Sequence, residues 1–237
     1  MWKSVQKRDR IIWKSGKTYE AGTDKTFSLD TLPQEYTAYG NGDYRVNGLE
    51  TEQADGSDTA NLKYECYEIS KGKYSLKGLP AMFAKEDEAE TLEIVLKDHA
   101  SGLRAHLLYG VFPQLDVITR AVRLENTGTA PVTVKKAMSM EMDYEYRELD
   151  AVHFYGRHIM ERQMERTHLG HGNWSVGSIR GTSSHHHNPF VILCDRNTEE
   201  TYGDCYGYAL AYSGNFLFET EVDQVGHTRV AMGIHPY

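Results

Sequence analysis

Apolar and polar residues alternate along most of the chain after about residue 90. Leu92, Ile94 and Leu96 fall on one side and Glu93 and Lys97 on the other, which is the two-residue period of a half-buried strand. Similar segments rich in Val, Ile, Thr, Tyr and Phe are Leu103–Phe112, Val117–Glu125, Val132–Met142, Phe190–Cys194, Tyr206–Tyr212, Leu217–Val222 and Thr228–Ile234. Turn-forming residues separate these segments. The pattern predicts a mainly β fold, an antiparallel sandwich of two sheets.

Two parts of the chain are harder to assign. Residues 147–166 contain Met160 and Met164, whose spacing would also place them on one face of a helix. The pattern alone leaves strand and helix open there, and the family resemblance described below favours a strand. The first ninety residues are predicted to be mainly loops, with hairpin turns at Gly40–Asp43 and Ala54–Ser57. There is no internal repeat and no linker that would divide the chain.

Composition narrows the class of protein. The 237 residues are 40% hydrophobic and 25% charged, as in an ordinary globular domain. The net charge of −8 argues against a nucleic-acid or anionic-membrane partner. Mean hydropathy is −0.58, and there is neither a membrane span nor a secretory signal. The irregular spacing of Cys66, Cys194 and Cys205 suits reduced thiols. We therefore expect a soluble, cytoplasmic protein.

A run of three histidines is the first candidate for chemistry. Imidazoles are common metal ligands, and alternate residues of a strand share a face, so His185–His187 could serve a metal-dependent β-barrel enzyme. Such a site also needs a spaced Glu and a further His, and His227 is available at a spacing that fits no pattern we can name. The simpler interpretation is a hydrogen-bonded loop beside the extended Asn188-Pro189 step.

Carboxylates and aromatic rings point only weakly to carbohydrate. Glycosidic cleavage needs two carboxylates, but among 34 Asp and Glu residues a pair such as Glu141 and Asp143 arises by chance. There is no Gly-x-Ser-x-Gly elbow, phosphate-binding glycine loop or Cys-x-x-Cys pair. The 16 tyrosines could stack on sugars, although strand packing explains them equally well. The residues alone indicate a β-sandwich with a possible sugar-facing surface.

The segment at residues 180–189, Arg-Gly-Thr-Ser-Ser-His-His-His-Asn-Pro, adds a family resemblance. It resembles the Arg-Gly-Thr-Ser-Ser-His-Gln-x-Asn-Pro signature in the N-terminal domain of bacterial α-galactosidases of glycoside hydrolase family 36. Other segments resemble the same domain in chain order, at residues 26–36, 42–45, 53–57, 77–81, 116–120, 125–128, 212–216, 221–224 and 228–230. The resemblance implies that residues 26–237 form a large β-supersandwich like that of galactose mutarotase. Residues 1–25 form a weakly matched N-terminal segment.

In the resembling enzymes a (β/α)8 barrel carries the two catalytic Asp residues. Nothing in this chain is similar to that barrel, so the resemblance implies a non-catalytic piece, incomplete at both ends and inactive alone. The parent enzyme would hydrolyse terminal α-galactosides such as melibiose and raffinose with retention of configuration and without a metal or other cofactor. The sandwich would support the barrel and a homotetramer. Sheet edges left uncovered would favour association.

The resemblance also implies roles for four residues. Asp9 is the nearest counterpart of an Asp that reaches a neighbouring subunit's active site and binds sugar hydroxyls, although the two following residues depart from the family's Leu-Ser. Arg180, His185 and Asn188 are expected to hold an interface loop against the barrel, and the planar donors of Arg180 suit that task. The alternatives are a stand-alone carbohydrate-binding module and the metal-dependent enzyme.

Overall fold

The computed structural model describes residues 32–40, 42–85, 87–183 and 185–236. In these ranges the secondary structure consists of strands and contains no helix. The strands are β1 (Leu49–Gln53), β2 (Leu62–Lys71), β3 (Glu90–Asp98), β4 (Leu103–Phe112), β5 (Val117–Asn126), β6 (Val132–Tyr144), β7 (Leu149–Arg157), β8 (Met160–His168), β9 (Gly172–Ser178), β10 (His187–Asp195), β11 (Cys205–Ala209), β12 (Phe216–Val222) and β13 (Thr228–Gly233). The part of the chain so described has no helix with the length and apolar character to cross a membrane.

The strands form three antiparallel sheets. One has the order β1-β6-β13-β12-β9, the second β11-β10-β7-β8, and the third β2-β3-β4-β5. The expectation of two sheets was therefore wrong. The 13-residue strand β6 pairs with β1 through its first half and with β13 through its second half. Because β6 extends along both regions where the sheets pack, the five-stranded sheet can pack on both other sheets.

Two hydrophobic cores hold the sheets together. The first lies between the five-stranded sheet and the β7–β8–β10–β11 sheet, and its buried residues include Met140, Leu149, Val191, Leu193, Phe218 and Val230. The second lies between β1 with its preceding segment and the β2–β5 sheet, and it includes Tyr36, Leu49, Leu96, Leu103 and Leu107. Fully burying each large aliphatic or aromatic side chain contributes about 1.5–3 kcal/mol relative to exposure. The cores therefore fix the internal face of those strands that contribute buried residues to them.

All seven further segments predicted as strands overlap strands, and β4 has the predicted bounds. The predicted segment Tyr206–Tyr212 extends beyond β11, which ends at Ala209. The ambiguous stretch is also extended, because β8 covers Met160–His168, which confirms the preference for a strand. The expectation of loops before residue 90 was wrong for β1 and β2. Strand β2 lacks a clear apolar alternation because it is an edge strand with nine of its ten residues exposed.

The turn predicted at Ala54–Ser57 forms, and Gly56 adopts a φ of 84° that favours glycine. The amide of Gln53 donates to the Ser57 carbonyl oxygen at 2.7 Å. The strands on either side, however, belong to different sheets, so this turn does not connect a β-hairpin. A turn signal in the sequence does not specify the partner of the strand that follows it.

Candidate functional site

Of the segment at residues 180–189, residues 180–183, 185 and 186 lie in the loop between β9 and β10, and residues 187–189 begin β10. The amide of Gly181 donates to Asn215 Oδ1 at 2.6 Å, and the amide of Ser183 donates to the Ser213 carbonyl oxygen at 2.9 Å. Gly181 has a φ of 79°, a conformation that a side chain would disfavour. These contacts attach the loop to the β11–β12 connection, so two segments of the family resemblance meet in space.

The three predicted interface residues lie on or beside this loop. Arg180 and His185 are exposed, whereas Asn188 is half-buried in β10. The His185 ring stacks on His186 with a centroid separation of 4.8 Å. Within the described ranges, no residue accepts a hydrogen bond from the Arg180 guanidinium. Its donors are therefore available to a partner, as the interface hypothesis requires. Asp9 lies outside the described residues.

A groove of about 520 Å³ lies beside the loop. It runs between β8 and β9, which are edge strands of different sheets. Its lining includes an indole, imidazoles, a carboxylate and a hydroxyl, from Trp174, His153, His187, His235, Glu165 and Ser178. This volume lies in the usual range of small-molecule sites. We call this feature the β8–β9 groove.

Two histidines form one wall of the β8–β9 groove. The His153 ring lies 6.2 Å from His187 and 5.6 Å, edge-on, from Trp174, measured between ring centroids. The Nδ1 atoms of both histidines are buried and meet no hydrogen-bond partner among the described residues. Burial lowers the pKa of His187, and the charges of its neighbours His153, His186 and Arg180 lower it further. Both effects favour the neutral form of the His187 ring.

A carboxylate stands opposite one of these rings. Glu165 Oε2 lies 3.9 Å from His153 Nε2, beyond hydrogen-bond distance. The Glu165 side chain is 55% exposed, whereas that of His153 is 10% exposed. A small polar group placed between the two could bind both of them.

A second polar cluster is sealed inside the protein. The fully buried Arg229 of β13 donates to both carboxylate oxygens of Asp143 and to Asp43 Oδ2, each at 2.8 Å. Arg45 donates to the two Asp43 oxygens at 3.0 and 2.7 Å and lies 3.5 Å from Asp223. Residues 42–45, 221–224 and 228–230, which were separate segments of the resemblance, thus meet in one buried polar layer.

Glu141 completes this buried polar layer. Its carboxylate accepts from the Thr37 amide at 3.0 Å and lies 3.1 Å from Arg229 Nε. Burial raises the pKa of Glu141 to about 7, and Asp143 adds to this although Arg229 opposes it. Burial would also raise the pKa of Asp43, but its two arginine partners outweigh it and hold that pKa below the usual value.

The Glu141 and Asp143 side chains are 0% and 2% exposed, so they form a structural ion-pair layer and not a catalytic pair in a cleft. Sequence reasoning missed this layer. The signal available was an arginine near the start of strand β13, directly before the apolar residues Val230, Ala231 and Met232.

The metal-dependent alternative finds no support in the described residues. His227 lies beside Asp223, with Nδ1 3.5 Å from the carboxylate, and packs edge-on against Tyr146. Across the ranges that the structure describes, no group of three or more His, Cys, Asp or Glu residues could hold a metal ion.

The sequence profile described as the glycosyl hydrolase family 36 N-terminal domain matches residues 5–237. The chain belongs to this family. A similar relative is the bifunctional α-galactosidase/sucrose kinase AgaSK of Mediterraneibacter gnavus, with 52% identity over 93% of this chain but 24% of its own length. The α-galactosidase AgaA of Geobacillus stearothermophilus is 45% identical over 91% of this chain and 30% of its own length.

Solved structures agree with this assignment. The galactosidase domain of AgaSK superimposes with a TM-score of 0.88 and 52% identity, covering 94% of this chain and 31% of that one. A structure of AgaA in complex with raffinose gives a TM-score of 0.88 and 44% identity with the same coverages. This family 36 domain thus spans 24–31% of the length of these relatives, and the predicted family and β-sandwich are confirmed.

Proposed function

We propose that this family 36 domain acts as the non-catalytic N-terminal domain of an α-galactosidase and supports its catalytic barrel. The observation that carries the proposal is the match of 94% of the chain to 31% of an α-galactosidase chain at a TM-score of 0.88. Residues 26–237 would form the supersandwich and residues 1–25 a separate N-terminal segment.

The parent enzyme would hydrolyse terminal α-galactosides such as melibiose and raffinose. Retention of configuration requires two carboxylates separated by roughly 5–5.5 Å at the scissile bond. In this scheme both belong to the barrel, and no metal cofactor takes part. The burial of Glu141 and Asp143 supports this assignment, since neither side chain is accessible to a sugar.

The loop carrying Arg180 and His185 would contact the barrel. Its backbone is attached to the β11–β12 connection, and the side chains of Arg180 and His185 are exposed, so a rigid loop presents polar groups outward. A guanidinium can bind a carboxylate or two carbonyl oxygens across an interface with a fixed geometry. Asn188 would order the beginning of β10 behind the loop.

Two further parts of the proposal concern assembly and location. Asp9 would reach the sugar in a neighbouring subunit of a homotetramer, where a carboxylate that accepts two hydroxyl hydrogen bonds fixes the sugar's orientation. The three cysteines are unpaired, which supports a reducing location such as the cytoplasm.

In the experiment, this chain replaces the corresponding segment of AgaA, which gives a chimera with the AgaA barrel. We expect the chimera to assemble and to cleave a chromogenic α-galactoside, whereas the 237-residue chain alone should show no turnover. Arg180→Ala in the chimera should weaken assembly, measured by light scattering and melting. The matched control is Arg123→Ala, an exposed arginine of β5.

Two results would contradict the proposal. Turnover by the purified chain would show that this domain itself cleaves the α-galactoside. If Arg180→Ala changes neither the assembly nor the melting of the chimera, the loop does not contribute to the interface.

A further inference from the structure

The lining of the β8–β9 groove selects against anions and metal ions. It contains neither lysine nor arginine, and its single carboxylate is Glu165. An anion would therefore meet no cation among the lining residues and would be repelled by Glu165. A metal ion would lack ligands, because the described residues provide no group of three that could hold one. The remaining classes are organic cations and neutral polar molecules, and the hydroxyl groups of the lining suit the second.

The same groove combines apolar faces with hydroxyl groups. Trp174 and Leu217 provide apolar surface, and Thr167 and Ser175 carry hydroxyls that can both donate and accept. The Ser178 hydroxyl already donates to the Thr182 carbonyl oxygen at 2.7 Å. Indole rings pack well against molecules that are apolar on one face and polar at the rim. A pyranose ring has this character, since its C–H groups and its hydroxyls lie on different sides.

His153 and Glu165 are spaced so that one hydroxyl group can bridge them. The atoms Nε2 and Oε2 are 3.9 Å apart, so an oxygen to the side of the line that joins them can lie about 2.8 Å from each. A hydroxyl can accept from the imidazole N–H and donate to the carboxylate at the same time. The buried Nδ1 of His153 has no partner among the described residues, which leaves Nε2 as the nitrogen that can bind such a group.

We propose that the β8–β9 groove is a carbohydrate-binding site of this chain, in which a sugar hydroxyl bridges His153 and Glu165 and the ring packs near Trp174. His187, which also lines the groove, supplies a further hydrogen bond. This inference goes beyond the proposed function, because it assigns a ligand to the sandwich and not to the barrel. The site would hold a neutral oligosaccharide without cleaving it.

The test is a calorimetric titration of the 237-residue chain with raffinose, together with histidine-ring NMR spectra. We expect a saturable heat and shifts of the His153 and His187 ring signals. Glu165→Ala should weaken binding roughly tenfold, which is the equivalent of one lost hydrogen bond to a charged group. Galacturonate should bind more weakly than galactose, because its carboxylate faces Glu165.

The matched control is Glu161→Ala on the same strand, since Glu161 is exposed and does not line the groove. Both glutamates are exposed, so neither variant is expected to unfold, and circular dichroism checks this. A folded chain that gives no saturable heat would overturn the proposal. Equal affinity in the parent and the Glu165→Ala variant would also overturn it. Neither result would affect the barrel-support proposal, which the chimera tests separately.

Discussion

Replacing Arg229 by methionine tests whether the buried polar layer stabilises the fold. Arg229 is fully buried and makes three hydrogen bonds of 2.8 Å to Asp43 and Asp143, with Glu141 at 3.1 Å. Methionine occupies a similar volume, so the substitution removes the charge and the donors with little change in packing. The three carboxylates then share one fewer cation.

The loss of folding free energy depends on which cationic partners each carboxylate retains after the substitution. Asp43 retains Arg45, whose donors lie 3.0 and 2.7 Å away, so it loses least. Asp143 and Glu141 lose their main cationic partner inside the protein. Removing one partner of a buried ion pair costs about 3–5 kcal/mol. For a domain of this size that corresponds to a fall in melting temperature of roughly 6–20 °C.

The assay is urea unfolding followed by circular dichroism at several pH values, with Arg123→Met as control. Arg123 is 61% exposed and lies 3.0 Å from Glu93, so its loss should cost less than about 1 kcal/mol. The cost of Arg229→Met should shrink as the pH falls from 8 to 5, because the unpaired carboxylates take up protons. Equal costs for the two variants, or a cost independent of pH, would refute the buried-charge argument.

Two other substitutions probe the fold. The pKa of Glu141 is raised from 4.5 to about 7, so its contribution to stability is fully present below 4.5 and is lost as the pH rises through 7. Glu141→Gln should therefore flatten the pH dependence of unfolding in that window, and an unchanged slope would contradict the assignment. In Gly128→Ala the new Cβ would lie 2.1 Å from the Ser101 carbonyl oxygen, costing about 1–3 kcal/mol in thermal unfolding. Gly170→Ala, with open space around it, should be nearly neutral.

Strands with one buried face were predictable from the sequence. Strand β12 alternates in burial, with Phe216, Phe218 and Thr220 inside, and the two-residue period follows directly from that geometry. Strand β4 is similar at its start, where Leu103 and Ala105 are buried. In both strands the alternation of apolar and polar residues follows from the burial of one face, so the strand can be assigned without knowledge of the fold.

The sheet order and the buried polar layer depend on contacts between distant parts of the chain. Arg229 and Asp43 are 186 positions apart, and no local period relates them. The pattern alone did not decide strand β7 although Leu149 and Ala151 are buried, because Asp150 and His153 are buried as well. Each of these polar groups is tolerated inside only because the fold supplies its surroundings, and a single sequence does not contain that information in local form.

Burial separates the residues of the family resemblance into two physical groups. Arg229 and Asp43 are sealed between strands, so their effect on this chain is stability, whether or not a barrel is present. Arg180 and His185 are exposed on a loop whose backbone is already hydrogen-bonded, so they contribute little to the fold itself. It follows that Arg180→Ala should leave the melting of the isolated chain unchanged while weakening the assembled chimera. A loss of stability in the isolated chain would show that Arg180 serves the sandwich and not an interface.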